Sequence, residues 1–134
     1  MEDVFFTESS EAPVPPQEVR IRLLDAEPRP DGRRIDVRTE ITPFQKRPNI
    51  ELVIRNQEGA ESATLSVVEA IDAAMDFTMH LREKEPAGKY TLEMRVFYSD
   101  IEAFEAEEGE EIASAEILES AKQEVDTRKI EFQI

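Results

Sequence analysis

The sequence predicts an all-β protein, a seven-stranded antiparallel sandwich of immunoglobulin-like type. Two observations support this. Apolar and charged residues alternate in short runs along the chain, and turn-forming residues such as proline and glycine separate these runs. The connections between the runs are too short for the helices that a parallel sheet requires. Two packed antiparallel sheets are therefore the expected architecture.

The first three predicted strands cover residues 19–23, 35–41 and 50–54. In each run the alternate residues are apolar, apart from Thr39, as in a strand with one face buried. Residues 28–33, Pro-Arg-Pro-Asp-Gly-Arg, supply turn chemistry between the first two, because proline fixes φ and Asp-Gly tolerates a positive φ. The pattern favours strands joined by short turns.

Four further strands are predicted over residues 63–67, 77–81, 90–98 and 130–134. One stretch, residues 66–77, has two interpretations, because its valine, isoleucine, alanine and methionine residues also fit a helical stripe. Strand, short loop and strand is favoured, since a helix would have to end inside the clear alternation of 77–81. A helix there would make the fold α+β.

Charge is distributed unevenly along the chain. Residues 1–18 carry five acids and no base, residues 19–99 carry 14 acids and 13 bases, and residues 100–124 carry ten acids and one base. We expect residues 1–18 to be a disordered acidic leader that contains prolines, and residues 19–134 to be a single sandwich domain. Residues 100–124 are predicted to be an acidic loop inserted before the last strand, either without regular structure or with a short helix.

The residue inventory argues against most catalytic classes. The chain has no cysteine, and its single histidine, His80, falls on an outward strand position. No glycine-rich phosphate loop, calcium loop or nucleophile motif is present in the sequence. We therefore predict no enzyme activity, no cofactor and no metal site, and interpret His80 as a surface residue.

Net charge and the N-terminal residues bear on partners and location. A formal net charge of −15 is repelled by nucleic acid and by anionic lipid, so neither is expected as a partner. The first six residues, Met-Glu-Asp-Val-Phe-Phe, lack the basic region of a signal peptide, and no apolar stretch approaches the length of a membrane span. The sequence therefore predicts a cytoplasmic protein.

The run from Leu81 to Leu92, with Pro86-Ala87-Gly88 before Tyr90, resembles the corresponding region of immunoglobulin-like and fibronectin-type-III-like sandwiches. In such domains a tyrosine near the start of the penultimate strand often forms a "tyrosine corner", and Tyr90 occupies that place. The resemblance covers residues 19–99 and 125–134. The chain lacks the Cys…Trp…Cys pattern and carries an acidic insertion. The resemblance implies a binding or spacer module.

The favoured functional hypothesis is a non-catalytic protein-interaction or structural module. Its acidic arm would steer a basic protein partner. Three outward apolar positions, Leu24, Val53 and Phe97, would form a patch, and an exposed strand edge could also join two copies of the chain. The candidate acidic contacts are Glu105, Glu107, Glu108, Glu110 and Glu111.

Two other hypotheses stay open. The loops over residues 42–49 and 70–74 could bind a small ligand or a metal ion at one end of the sandwich. Alternatively, the acidic chain could mimic nucleic acid and occupy a basic groove of another protein. Arginines on outward strand positions, among them Arg38, Arg55 and Arg95, alternate with acids, which predicts cross-strand ion pairs in preference to an anion site.

Overall fold

The computed structural model describes residues 12–99 and 122–134, and this part of the chain is all-β. The expectation of seven strands is confirmed there. Residues 66–77 form strand, loop and strand, so the helical alternative is wrong. The strands are β1 (Ile21–Pro28), β2 (Arg34–Ile41), β3 (Asn49–Arg55), β4 (Glu61–Val67), β5 (Ala74–His80), β6 (Lys89–Ser99) and β7 (Lys122–Gln133).

The strands form two antiparallel sheets. The three-stranded sheet has the order β1-β2-β5, and the four-stranded sheet has the order β4-β3-β6-β7. The alternating apolar residues of the two sheets meet in one core, because each sheet has to cover its apolar face with another element. Fully buried residues from both sheets include Ile35, Val37, Leu52, Ile54 and Leu92.

A β-bulge in β1 reverses the predicted direction of Leu24. The register with β2 shifts between Ile21 and Leu23, so that Leu24 pairs with Thr39 and enters the core with 7% of its surface exposed. The sequence prediction of an outward Leu24 is therefore wrong. An extra residue in one strand moves every later side chain to the opposite face.

The last strand is longer than predicted. β7 begins at Lys122, and it pairs with β6 from Lys89 to Ser99. The predicted insertion of residues 100–124 therefore overlaps β7 by three residues, and the strand predicted over 130–134 covers only the last four of its 12 residues. The run from residue 122 to 129 is mainly charged and polar, so its strand state depends on pairing with β6 and not on its own alternation.

Side chains of β7 close one side of the sandwich. The backbone N–H of Ile21 donates to Asp126 Oδ2 at 2.8 Å, and Arg128 Nη2 donates to the carbonyl oxygen of Ile21 at 2.9 Å. Arg20 adds a hydrogen bond to the carbonyl oxygen of Val125 at 3.5 Å. Because β1 and β7 belong to different sheets, these contacts join the two sheets along this side.

Residues 12–18, assigned to the leader by the sequence analysis, contact the domain. The N–H of Val14 donates to the carbonyl oxygen of Pro43 at 3.0 Å, and the N–H of Gln45 donates to the carbonyl oxygen of Val14 at 2.9 Å. A 3₁₀ turn over Pro16–Glu18 then leads to the buried Val19. The predicted leader of residues 1–18 thus includes a stretch that is fixed to the β2–β3 loop.

The expected cross-strand ion pairs are confirmed on the outer face of the four-stranded sheet, and they surround Val53. Arg55 Nη1 lies 2.7 Å from Glu93 Oε1, and Arg95 Nη1 lies 3.0 Å from Glu51 Oε1. Val53 stands between these pairs in the register and is only 7% exposed. Its place in an exposed apolar patch was predicted wrongly, because long arginine stems cover apolar surface on a sheet face.

The turn between β1 and β2 depends on Asp31. Its Oδ1 accepts hydrogen bonds from the N–H groups of Arg33 and Arg34 at 2.9 and 3.1 Å, and its Oδ2 lies 2.7 Å from Arg34 Nε. Gly32 takes the positive φ of 68° that this turn requires. The hydrogen bond from the Arg33 N–H, followed by those from Arg34, lowers the pKa of Asp31 from 3.8 to about 2.

We therefore expect a carboxyl NMR titration of Asp31 to show a midpoint of about 2. Since the folded pKa lies below the unfolded one, the stabilisation is complete above pH 3.8 and is lost as the pH falls through about 2. The Arg34→Ala variant should show a midpoint between these values, because the Arg33 N–H remains as a donor. A wild-type midpoint of 3.8 would show that the turn lacks these hydrogen bonds in solution.

Candidate functional site

The loop between β4 and β5, residues 68–73, presents two apolar side chains to solvent. Val68 is 77% exposed and Ile71 is 72% exposed, and these are the exposed large hydrophobic side chains among the described residues. A single exposed apolar residue is ordinary on a protein surface, whereas clustered exposed apolar groups mark interaction sites, so the pair on one short loop makes this loop the candidate contact site.

Hydrogen bonds fix this loop to the β2–β3 loop. The N–H of Ala70 donates to the carbonyl oxygen of Pro48 at 2.8 Å, and the N–H of Glu69 donates to Asn49 Oδ1 at 2.9 Å. Ala70 itself is 1% exposed, and it anchors the loop in the core. Glu69 adopts a positive φ of 51°, which for a non-glycine residue costs roughly 1 kcal/mol and persists only where surrounding contacts require it.

The consequence is that Val68 and Ile71 flank a buried anchor and are held outward by the backbone. A loop fixed before binding loses less conformational entropy when a partner covers it. The loop geometry therefore fits a contact surface that is formed before the partner binds.

The edges of β4 and β5 run side by side below this loop, and the cleft between them is incompletely covered. Leu65 and Val67 of β4 and Met75 and Phe77 of β5 pack against the core but remain partly exposed. We call the two edges together with loop 68–73 the β4–β5 side. An open hollow of about 310 Å³ lies on it, lined in part by Thr64, Leu65, Thr78, Met79, His80 and Arg82.

A second hollow, of about 410 Å³, lies on the outer face of the three-stranded sheet and is lined mainly by charged groups. Arg29 Nε lies 2.9 Å from Asp36 Oδ1, and Arg38 Nε lies 3.1 Å from Asp76 Oδ1. These ion pairs join neighbouring strands. Within residues 12–99 and 122–134, no group of three or more potential metal-ligating side chains is found.

A polar cluster around Glu83 closes the opposite end of the β4–β5 side. Glu83 Oε2 accepts hydrogen bonds from Ser62 Oγ at 2.8 Å and Asn56 Nδ2 at 3.2 Å, and Oε1 accepts one from the Tyr90 hydroxyl at 3.4 Å. Burial raises the pKa of Glu83, but the hydrogen bonds together outweigh it and hold the pKa below its ordinary value. A carboxylate held ionised by fixed donors is a structural element and not a general acid.

The structure separates the residues that the sequence analysis singled out. Phe97 is half-buried on the outer face of β6, and Val53 is covered by ion pairs, so they do not form an exposed patch. His80 is exposed, as expected. The predicted acidic contacts lie outside the described residues, namely Glu105, Glu107, Glu108, Glu110 and Glu111.

The two loops proposed for ligand binding, 42–49 and 70–74, contact each other directly. The hydrogen bond between Ala70 and Pro48 joins them, and Ala73 O accepts from the N–H of Ile41 at 2.9 Å. This direct contact does not favour a ligand site between them. Sequence reasoning missed Val68 and Ile71, although the break in alternation at Val67-Val68 marked the end of a strand and left both residues without a buried face.

No helix in the described part of the chain is long and apolar enough to cross a membrane. Comparisons with models of known protein families and with curated proteins find no match to this sequence.

Proposed function

We propose that this protein is a non-catalytic protein-interaction module that binds its partner through the β4–β5 side. The observation that carries this proposal is the outward placement of Val68 and Ile71 on a loop fixed by hydrogen bonds. The buried centre of a protein interface is more apolar than the rest of the surface, and a contact loop that is already fixed loses less entropy on binding.

The strand order supports an immunoglobulin-like assignment of the sandwich within this proposal. The order β1-β2-β5 matches strands A, B and E of constant-type immunoglobulin domains, and β3-β6-β7 matches strands C, F and G. The fourth strand differs, because in constant-type domains it joins the sheet of the first two strands, whereas here β4 pairs with β3. Tyr90 lies near the start of the penultimate strand and is 2% exposed, as a corner tyrosine would be. Its hydroxyl donates to Glu83 Oε1 at 3.4 Å and also forms a hydrogen bond with the backbone of Ala87, three residues upstream, as in the usual corner.

The position of the acidic segment favours a basic partner. Asn49, at the end of loop 42–49, pairs with Phe97 of β6. Ser99 follows Phe97 by two residues and pairs with Lys122, so both lie at the end of the sandwich that carries loops 42–49 and 68–73. Ser99 and Lys122 therefore lie at the end of the sandwich that carries Val68 and Ile71, and the sequence between them, residues 100–121, contains nine acids and no base. Such a charge excess raises the rate of encounter with a basic surface and makes it sensitive to salt.

The surroundings of His80 support the non-catalytic part of the proposal. Across residues 12–99 and 122–134, no hydrogen bond joins His80 to a hydroxyl or a carboxylate. Nucleophilic and general-base catalysis both require such a pairing, with a third group that orients the base.

The proposal is tested by affinity capture from a lysate of the source cells with the Val68→Ser/Ile71→Ser variant. We expect it to retain at least tenfold less partner than the wild type, because the apolar anchors are lost. The matched control is Val68→Ile/Ile71→Val, which preserves apolar area and should bind within twofold of wild type. Equal capture by the serine variant, or no captured protein with the wild type at low salt, would overturn the proposal.

The same capture separates the acidic arm from the apolar anchors. Changing Glu105, Glu107, Glu108, Glu110 and Glu111 to glutamine preserves chain length and the β6–β7 connection. Capture by this variant should fall at low ionic strength and match the wild type at high salt, where screening removes long-range attraction. If salt affects both proteins equally, these glutamates do not steer the partner.

A further inference from the structure

The outer edge of β4 has the chemistry of an unoccupied strand-pairing site. The carbonyl oxygen of Ser62 points away from β3, since it accepts a hydrogen bond from the N–H of Arg82 at 3.0 Å. Because backbone groups alternate along a strand, the N–H and C=O groups of Thr64 and Ser66 point the same way. Both residues are exposed, and no described strand pairs with them on that side.

The other three sheet edges carry features that discourage pairing. β1 has a bulge and ends at Pro28, and the hydrogen bonds at Ile21 join it to β7. β7 is bulged and carries many charged residues, and β5 has Asp76 at its centre. By contrast, the bulge of β4 is confined to its Glu61 end, opposite Ile54 and Arg55, and residues 62–67, Ser-Ala-Thr-Leu-Ser-Val, contain no charge and no proline. An edge without such protection is a template for another strand.

We propose that the β4 edge takes an extended peptide segment of a partner protein as an added strand of the four-stranded sheet. This inference rests on the proposed function and specifies its binding mode. Every second side chain of the added strand would lie on the same sheet face as Leu65 and Val67, over the cleft towards Phe77. All three residues are only partly buried, so the peptide would need apolar residues at alternate positions.

Two acidic side chains on loop 68–73 favour a basic residue at one end of the peptide. Glu69 and Asp72 are exposed on loop 68–73, and neither forms an ion pair with another described residue. A basic residue at the peptide end that reaches this loop would meet them, beside the apolar Val68 and Ile71. The net charge of −15 disfavours pairing between two copies of this chain and favours a basic segment from elsewhere.

The experiment uses a displayed library of random twelve-residue peptides, selected on the immobilised full chain. Enriched peptides should carry apolar residues at alternate positions and a lysine or arginine at one end. Synthetic copies should bind at least tenfold more weakly when the backbone N–H groups along one edge are methylated. Failure to enrich any peptide, or enrichment without alternation, would overturn the proposal.

The matched variants are Thr64→Pro and Thr64→Ala. Proline removes the outward N–H without removing a hydrogen bond to β3, and is tolerated at such edge positions. Thr64→Pro should weaken the selected peptide at least tenfold, whereas Thr64→Ala should stay within twofold of wild type. Circular dichroism checks folding, and Ser66→Pro replaces the first variant if that one does not fold. Equal binding by the proline variant would contradict strand addition.

Amide hydrogen exchange gives a readout independent of the variants. The N–H groups of Thr64 and Ser66 should exchange at least tenfold more slowly with peptide bound, and unchanged exchange would refute the binding mode. A dimer of the chain alone that Thr64→Pro dissociates would assign the edge to a second copy and overturn the peptide proposal. If partner capture needs Val68 and Ile71 but the β4 edge fails these tests, the proposed function stands and only this mode fails.

Discussion

Replacement of Leu24 by alanine is expected to lower the free energy of unfolding by about 3 kcal/mol, and replacement of Leu23 by less than about 1 kcal/mol. The two leucines are neighbours of identical chemistry, but the bulge in β1 buries Leu24 and leaves Leu23 partly exposed. Truncation of a core leucine removes apolar burial and leaves a cavity, whereas truncation of a partly exposed one removes only part of that burial.

Urea unfolding of the two variants measures the difference, with the wild type as reference and a common m-value as the check on two-state behaviour. Leu23→Ala is the control for leucine chemistry and for strand propensity. Equal losses in the two variants, or a larger loss for Leu23→Ala, would place the bulge elsewhere. The sequence alternation alone predicts that reversed order, so this pair distinguishes the structure from its simplest sequence interpretation.

The Glu83→Ala variant is expected to be less stable by about 3 kcal/mol near neutral pH. Ser62 is fully buried and Tyr90 is 2% exposed, so the loss of the carboxylate leaves two buried hydroxyl groups without this acceptor. Leaving a buried polar group unsatisfied costs about 1–3 kcal/mol. Glu83→Gln keeps an acceptor oxygen for Ser62 and should lose only about 1 kcal/mol.

Measurements over a pH series test the electrostatic part of this effect. The pKa of Glu83 is below its ordinary value of 4.5 in the folded protein, so its stabilisation is complete above that pH and declines as the pH falls further. The gap in unfolding free energy between wild type and Glu83→Gln should therefore narrow below pH 4.5. A gap that stays constant into acid would show that ionisation of Glu83 does not contribute.

The alternation of apolar and polar residues correctly predicted the strands that have a neighbouring strand on both sides. β2, β3 and β6 lie inside their sheets, with one face on the core, and their predicted limits differ from the structure by one residue at each end at most. Burial on one face and polar groups on the other produce a pattern that is visible in the sequence. The fold class followed from these strands.

The errors have separate physical causes. Leu24 was misplaced because a bulge leaves no mark in an alternating pattern. Residues 122–129 of β7 were missed because pairing with β6 and ion pairs such as Arg95 with Glu124 stabilise a polar strand. Val53 was misplaced because the side chains that cover it come from β3 and β6 together. Each feature depends on residues far apart in the chain.

The candidate site was less predictable than the fold. Sequence patterns locate side chains that are buried, whereas Val68 and Ile71 are of interest because they are exposed. Their exposure depends on hydrogen bonds from Ala70 to Pro48 and from Glu69 to Asn49, across a separation of about 20 residues. The unprotected edge of β4 likewise becomes visible only when the strand order is known.

The C-terminal residue lies at the far end of the sandwich from the proposed contact surface. Ile134 exchanges two backbone hydrogen bonds with Gly88, beside the turns that follow β1 and β3, whereas Val14, Ser99 and Lys122 lie at the end that carries Val68 and Ile71. A strand of eight residues spans about 26 Å. A tether attached at Ile134 would therefore fix the protein to a sensor surface by the end opposite loop 68–73, and this loop and the β4 edge would remain accessible from solution.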